Sequence, residues 1–120
     1  MFKVSVEDKV IKFLKKLNNK EITQRFDKIV DETFKINPFP KDKKHILDIN
    51  SQGNYLCELS IDKFRFYYEI ITGVVIINEI EYLGKVEILE GHSNHKSGNS
   101  KNYPNQQKTI KSLKKKFNDK

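Results

Sequence analysis

The sequence predicts an α+β fold in which two antiparallel N-terminal helices pack on a twisted antiparallel sheet, followed by a basic C-terminal tail. Three observations carry this. Apolar residues recur at helical spacing between positions 10 and 34, they alternate at period two between 45 and 89, and the charge balance changes after residue 90. Residues 1–90 hold fifteen basic and fifteen acidic side chains, whereas 91–120 hold eight lysines against Asp119 alone, so the whole net charge of +7 lies in the last quarter. With 120 residues, 37% of them hydrophobic, there is material for one modest core. The expected division is a domain over 1–90 and a polar linker with a basic tail over 91–120.

The first element is FKVSV, a short β-branched run with the alternation of a strand that buries one face. Ser5-Val6-Glu7-Asp8 then has the form of a capping box opening a helix. Val10, Phe13, Leu14 and Leu17 make its apolar stripe, with lysines opposite, and Asn18-Asn19 ends it. Ile22, Phe26, Ile29, Val30, Thr33 and Phe34 keep the same period, predicting a second helix antiparallel to the first. Asn37-Pro38 stops it, because the residue before a proline is pushed out of the helical region. The loop that follows carries Lys41, Lys43 and Lys44.

From His45 the pattern is that of strands. HILDI is a short one, the segment around Gly53 a turn, and Tyr55, Cys57, Leu59 and Ile61 alternate with Leu56, Glu58 and Ser60. Asp62-Lys63 closes a tight hairpin onto Phe64, Phe66, Tyr68 and Ile70, a register that sets Ser60 opposite Arg65 and Glu58 opposite Tyr67. Thr72-Gly73 reads as a second turn, and the apolar run from Val74 to Ile77 as a strand central in the sheet. Gly84-Lys85 reads as a break before a last strand over 86–89. Beyond Glu90 the composition turns to Ser, Asn and Gly, which predicts a mobile linker. The spacing of Ile110, Leu113 and Phe117 permits a short helix with a face to dock, marginal on its own in water.

The lone Cys57 excludes an intramolecular disulfide, sits in an apolar alternation that predicts a buried thiol, and belongs to no metal-ligand spacing. Charges every few residues near the start and the lack of a long apolar run predict a cytoplasmic protein without membrane spans.

The order of elements, Asn37-Pro38-Phe39-Pro40 after the second helix, and Phe64-Arg65-Phe66-Tyr67-Tyr68 on the meander resemble the RelE/ParE superfamily of toxin–antitoxin toxins over roughly residues 1–90. The resemblance implies a ribosome-associated messenger-RNA endonuclease that needs neither metal nor cofactor and is neutralised by a cognate antitoxin. The RNA's own 2′-hydroxyl is then the nucleophile, so the protein supplies a base, an acid and cations for the charge on phosphorus. Arg65 matches the family arginine at the scissile phosphate, where a planar guanidinium engages two oxygens at once. His92 is the candidate acid, ahead of His95 in the same polar segment, because imidazole titrates near neutrality. Glu58 is the candidate base. His45 opens a strand and is assigned no role.

For RNA contact the candidates are Lys41, Lys43 and Lys44 in the loop, Lys85, Tyr103 as a stacking ring, and the Lys114-Lys115-Lys116 run as a salt-sensitive attractor. Leu56 and Glu58 stand where nucleases of the family present lysines, and Gly84-Lys85 lacks the arginine that often follows. Those departures keep two alternatives open: a ParE-like inhibitor of DNA gyrase acting by binding, or a catalytically silent module that binds nucleic acid or an antitoxin. Without the resemblance, Arg65 reads as an exposed cross-strand partner of Glu69, Glu79 or Glu81.

Overall fold

The computed structural model describes residues 1–93 and 102–119, with the side chains of all but 102–105. Five strands, β1 (Phe2–Val6), β2 (Ile46–Ile49), β3 (Tyr55–Ile61), β4 (Phe64–Ile77) and β5 (Ile80–Ser93), make one sheet in the order β1-β5-β4-β3-β2. Three helices accompany it: α1 (Asp8–Leu17), α2 (Lys20–Lys28) and α3 (Asn102–Asn118). The sheet is mixed. β2 to β5 form the expected antiparallel meander, but β1 runs parallel to β5, with Phe2 opposite Gly84 and Val6 opposite Ile88. β1 and β5 are joined through the whole chain between them, so no hairpin dictates their relative direction.

The inner face of the sheet meets α1 and α2. Val10, Leu14, Ile22 and Phe26 pack with Cys57, Phe66, Ile70 and Ile88, all buried. Ring contacts stitch the layers, with Phe26 and Phe66 centroids 4.9 Å apart and Phe34 and Tyr68 4.5 Å apart. α1 begins at Glu7 with no side-chain cap, so the capping box is not formed: Ser5 is held in β1 opposite Glu87, and the Glu7 N–H donates to the Ile88 carbonyl. Asn18 ends the helix in the left-handed region, and the Asn19 side chain caps α2 by accepting from the Ile22 N–H. The predicted second helix continues past α2 as a π-helical stretch, Ile29–Phe34. Its wider turns advance each residue less than α turns do, which keeps Phe34 buried with Ile22 and Phe26.

Asn37-Pro38-Phe39-Pro40 is tied to this core. Asn37 Oδ1 accepts from the Phe39 N–H, the Tyr68 hydroxyl donates to the Pro38 carbonyl at 2.8 Å, and Phe39 meets Phe2 and Tyr55 edge-on. Burial holds the Tyr68 phenol far above its ordinary pKa.

Three sequence expectations about the meander are corrected. Gly73 is not in a turn; with φ at 102° it marks a bulge inside β4, and the reversal comes at Asn78-Glu79, both with positive φ. The run from Val74 to Ile77 is not central: Val74 and Ile76 are 62% and 70% exposed on a hairpin that projects past the other strands. Gly84-Lys85 is not a break. Gly84 lies within β5, where a Cβ would sit 2.4 Å from the Ile71 carbonyl oxygen, so the close approach of β4 demands glycine.

β5 extends past residue 90, and the sheet buries apolar side chains on both faces. β5 runs on through Gly91, His92 and Ser93, and α3 docks on the outer face of the sheet. There Leu113 and Phe117 bury against Leu56 and Tyr67, with Leu47, Leu89 and Ile110 around them. Asn50 Nδ2 donates to the Phe117 carbonyl and Asn118 Nδ2 to Asp48 Oδ2. One sheet therefore carries two apolar clusters, one per face, and the tail helix is a third layer. Among the described residues no helix is long and apolar enough to cross a membrane.

Candidate functional site

Strand alternation delivers Glu58 from β3, Arg65 and Tyr67 from β4, and Glu90 and His92 from β5 to the outer face. The register is as the sequence predicted for β3 and β4, Ser60 opposite Arg65 and Glu58 opposite Tyr67. On the other flank Arg65 stands opposite His92, and Tyr67 opposite Glu90. The three residues assigned to catalysis thus converge around one buried tyrosine. Gly91 makes part of this possible: a Cβ there would lie 2.9 Å from the Phe66 ring, so only glycine lets β5 cross at that point before presenting His92.

His92 and Tyr67 rings are 5.3 Å apart and tilted. His92 Nδ1 lies 3.3 Å from the Ser93 carbonyl oxygen, an acceptor, so Nδ1 carries a proton. Nε2 is buried and, among the described residues, has no hydrogen-bond partner. A proton on it would be committed to no other acceptor there, and a reacting oxygen that gained access to the ring could take it.

Arg65 is half-buried and does not pair with Glu69, Glu79 or Glu81. Its Nη1 donates to the carbonyls of Asp62 at 2.9 Å and Phe64 at 3.2 Å, bracing the β3–β4 turn. Glu79 and Glu81 lie out on the projecting hairpin, and Glu69 is buried on the outer face. Both bonds use one nitrogen, so Nε and Nη2 have no acceptor among the described residues. Those two donors are the ones a phosphate would engage.

Glu58 is paired with a residue to which the sequence assigned no role. His45 Nδ1 and Glu58 Oε1 are 3.4 Å apart, both partly buried. The signal was present only in register: Ile46 opposite Cys57 sets His45 opposite Glu58 one step further on. Tyr67, quoted in the sequence only as part of a motif, is the centre of the site. It is fully buried, Gln106 Nε2 of α3 donates to its hydroxyl at 3.3 Å, and burial pushes its pKa up to about 12.

The cationic candidates do not converge on this centre. Lys41, Lys43 and Lys44 are exposed on the loop before β2, adjoining His45. Asp42 among them is held below the ordinary carboxylate range, first by the Lys44 backbone N–H and then by its charge. Lys85 is engaged by Glu87 at 3.3 Å, seven positions along β5 from His92. Lys114, Lys115 and Lys116 ride on α3, and Lys116 borders a cleft of about 190 Å³ with Lys9, Glu69 and Phe117. His95 and the side chain of Tyr103 lie outside the described residues. Among the described residues no group of three or more His, Cys, Asp or Glu is placed to hold a metal ion. The Cys57 thiol is buried on the inner face, its pKa pushed up to about 12 by desolvation, and takes no part in the site.

No protein-family model, curated protein or solved structure matches the chain.

Proposed function

We propose that this chain is the toxin of a toxin–antitoxin pair in the RelE/ParE superfamily, a cytoplasmic endonuclease that cuts messenger RNA on the ribosome and is silenced by a separately encoded antitoxin. The observation that carries the reading is the convergence of Glu58, Arg65 and His92, from three strands, around Tyr67 on one face of the sheet. Glu58, positioned by its contact with His45, takes the proton of the RNA 2′-hydroxyl as its oxygen attacks phosphorus. Arg65 holds the phosphate oxygens through Nε and Nη2 while charge builds on them. The bond from phosphorus to the 5′-oxygen then breaks as His92, entering the step protonated on both ring nitrogens, gives its Nε2 proton to that oxygen, leaving a 2′,3′-cyclic phosphate, a 5′-hydroxyl and a neutral imidazole. The lysines beside His45 attract the strand to this side.

One feature favours a second reading, a ParE-like gyrase inhibitor or a silent binding module. α3 covers Tyr67 and Leu56, so RNA must enter at the Arg65–His92 end or displace the helix. Expression in cells lacking the antitoxin, with mapping of new 5′ ends on translated messages, separates the two. Growth arrest with new RNA ends that vanish in Arg65→Ala supports the nuclease. Arrest with altered DNA supercoiling and no new ends supports the gyrase inhibitor.

A further inference from the structure

The β4–β5 hairpin outruns its neighbours. β3 stops pairing with β4 at Tyr55 opposite Ile70, and β1 stops pairing with β5 at Phe2 opposite Gly84. The Thr72 N–H is taken by Asn54 Oδ1 at 3.0 Å. Beyond it, residues 73–77 have β5 on one side and no strand of the described chain on the other. The arm ends in a tight two-residue turn at Asn78-Glu79, whose positive φ angles match the twist of a hairpin. It carries exposed apolar side chains on both faces, with Glu81 of β5 opposite Ile76 on one of them. Val74, Ile76 and Leu83 are 62%, 70% and 57% exposed on one face, and Ile80, 55% exposed, lies with Val75, Ile77 and Tyr82 on the other. An isolated two-stranded ribbon is marginal in water, and a flat aliphatic edge invites another strand.

We infer that the free edge of β4 over residues 73–77 is a self-association surface, on which a second copy of this chain lays the same edge antiparallel, with the two-fold axis near Val75. Charge selects this occupant. The segment, Gly-Val-Val-Ile-Ile, has no charged residue and no proline, so a charged peptide finds nothing on it to pair with. Its own copy sets Val74 against Ile76, Val75 against Val75 and Gly73 against Ile77, with no like charges opposed. Glu79 stands in the turn, and Glu81, opposite Ile76, is on β5, one strand removed from the seam. The other two edges of the sheet are guarded, β1 by Lys3 and β2 by Asp48, which is also bonded to Asn118. The length is self-limiting: at each end the seam stops where Asn54 already occupies Thr72. This surface lies outside the candidate site, and its test involves no RNA.

The experiment is sedimentation or light scattering of the full chain over a wide concentration range. The wild-type chain should approach twice its 14.2 kDa as concentration rises. The double variant V74K/I76K, altered only at exposed side chains, should stay at the monomer mass with an unchanged circular dichroism spectrum. Val75→Cys should give a disulfide-linked dimer under mild oxidation. Ile36→Cys, 74% exposed elsewhere, should not. A monomeric wild-type chain at every concentration overturns the inference. So does a dimer that survives V74K/I76K, or cross-linking as efficient at Ile36→Cys as at Val75→Cys.

Discussion

Replacing Phe117 by Ala should undock α3 while leaving the rest of the fold standing. Phe117 is 2% exposed and Leu113 7%, and these two buried side chains, with Ile110 half-buried, are the apolar anchors of the helix. Burying each contributes about 1.5–3 kcal/mol, and the hydrogen bonds from Asn50 to the Phe117 carbonyl and from Gln106 to Tyr67 add about 1 kcal/mol apiece. The gross attachment is therefore roughly 5–8 kcal/mol before the cost of ordering the segment. Truncating a packed phenylalanine costs about 3–5 kcal/mol, roughly half of that gross figure, so the ordering entropy then prevails. The larger cluster on the inner face contains no residue of α3, so it should persist. Hydrogen exchange reads this directly: amides of 106–119 should lose protection by orders of magnitude, while those of β3 and β4 keep most of theirs. A second readout is Tyr67, whose pKa of about 12 should fall toward 10 once the helix no longer buries it, followed by NMR of ring-labelled tyrosine. The sign agrees with linkage. Because the docked state holds the phenol protonated, docking is undiminished below pH 10 and weakens as pH rises toward 12. If Phe117→Ala leaves 106–119 protected, the anchoring argument fails. If it unfolds the chain in a single transition, the two clusters are not separable as described.

Arg65→Ala should cost about 1 kcal/mol, the worth of its two partly exposed bonds to the Asp62 and Phe64 carbonyls, and lower the melting temperature by a few degrees. If the chain inhibits growth as proposed, a loss of that inhibition much larger than the destabilisation allows would mark the Arg65 donors as functional, and a loss explained by unfolding would not. Cys57 should fail to react with a thiol reagent at pH 8 until the protein is denatured, since burial holds its pKa near 12; prompt labelling of the native chain would contradict that burial. On the proposed nuclease reading, changing Lys114, Lys115 and Lys116 together to Ala should weaken RNA binding across sequences and flatten its salt dependence, measured by fluorescence anisotropy at several ionic strengths, with cleavage preserved at saturating RNA.

Local chemistry determined much of this protein before any tertiary contact was considered. The apolar stripes of α1 and α2 identified their buried faces, Asn18 and Pro38 identified where helical backbone stops, and Asp62-Lys63 set the β3–β4 register, because strand alternation admits only one pairing that keeps Phe64, Phe66, Tyr68 and Ile70 inside. Glu58, Arg65 and His92 were picked out by residue type and resemblance. Only the folded chain decided what they adjoin. His45 reaches Glu58 through a β2–β3 pairing, and Arg65 turns to backbone carbonyls rather than to the glutamates that sequence spacing offered, because the hairpin carries Glu79 and Glu81 beyond its reach. The direction of β1 was undecided by any local rule, since its partner lies more than seventy residues away. The arm was misread for a related reason: an aliphatic run looks the same whether neighbouring strands cover it or stop short of it, and strand length is settled by where β1 and β3 end. The same holds for α3. Its stripe of Ile110, Leu113 and Phe117 announced a face to dock, but docking became favourable only once the sheet had gathered Leu56, Tyr67 and Leu89 into an apolar patch that no single segment contains.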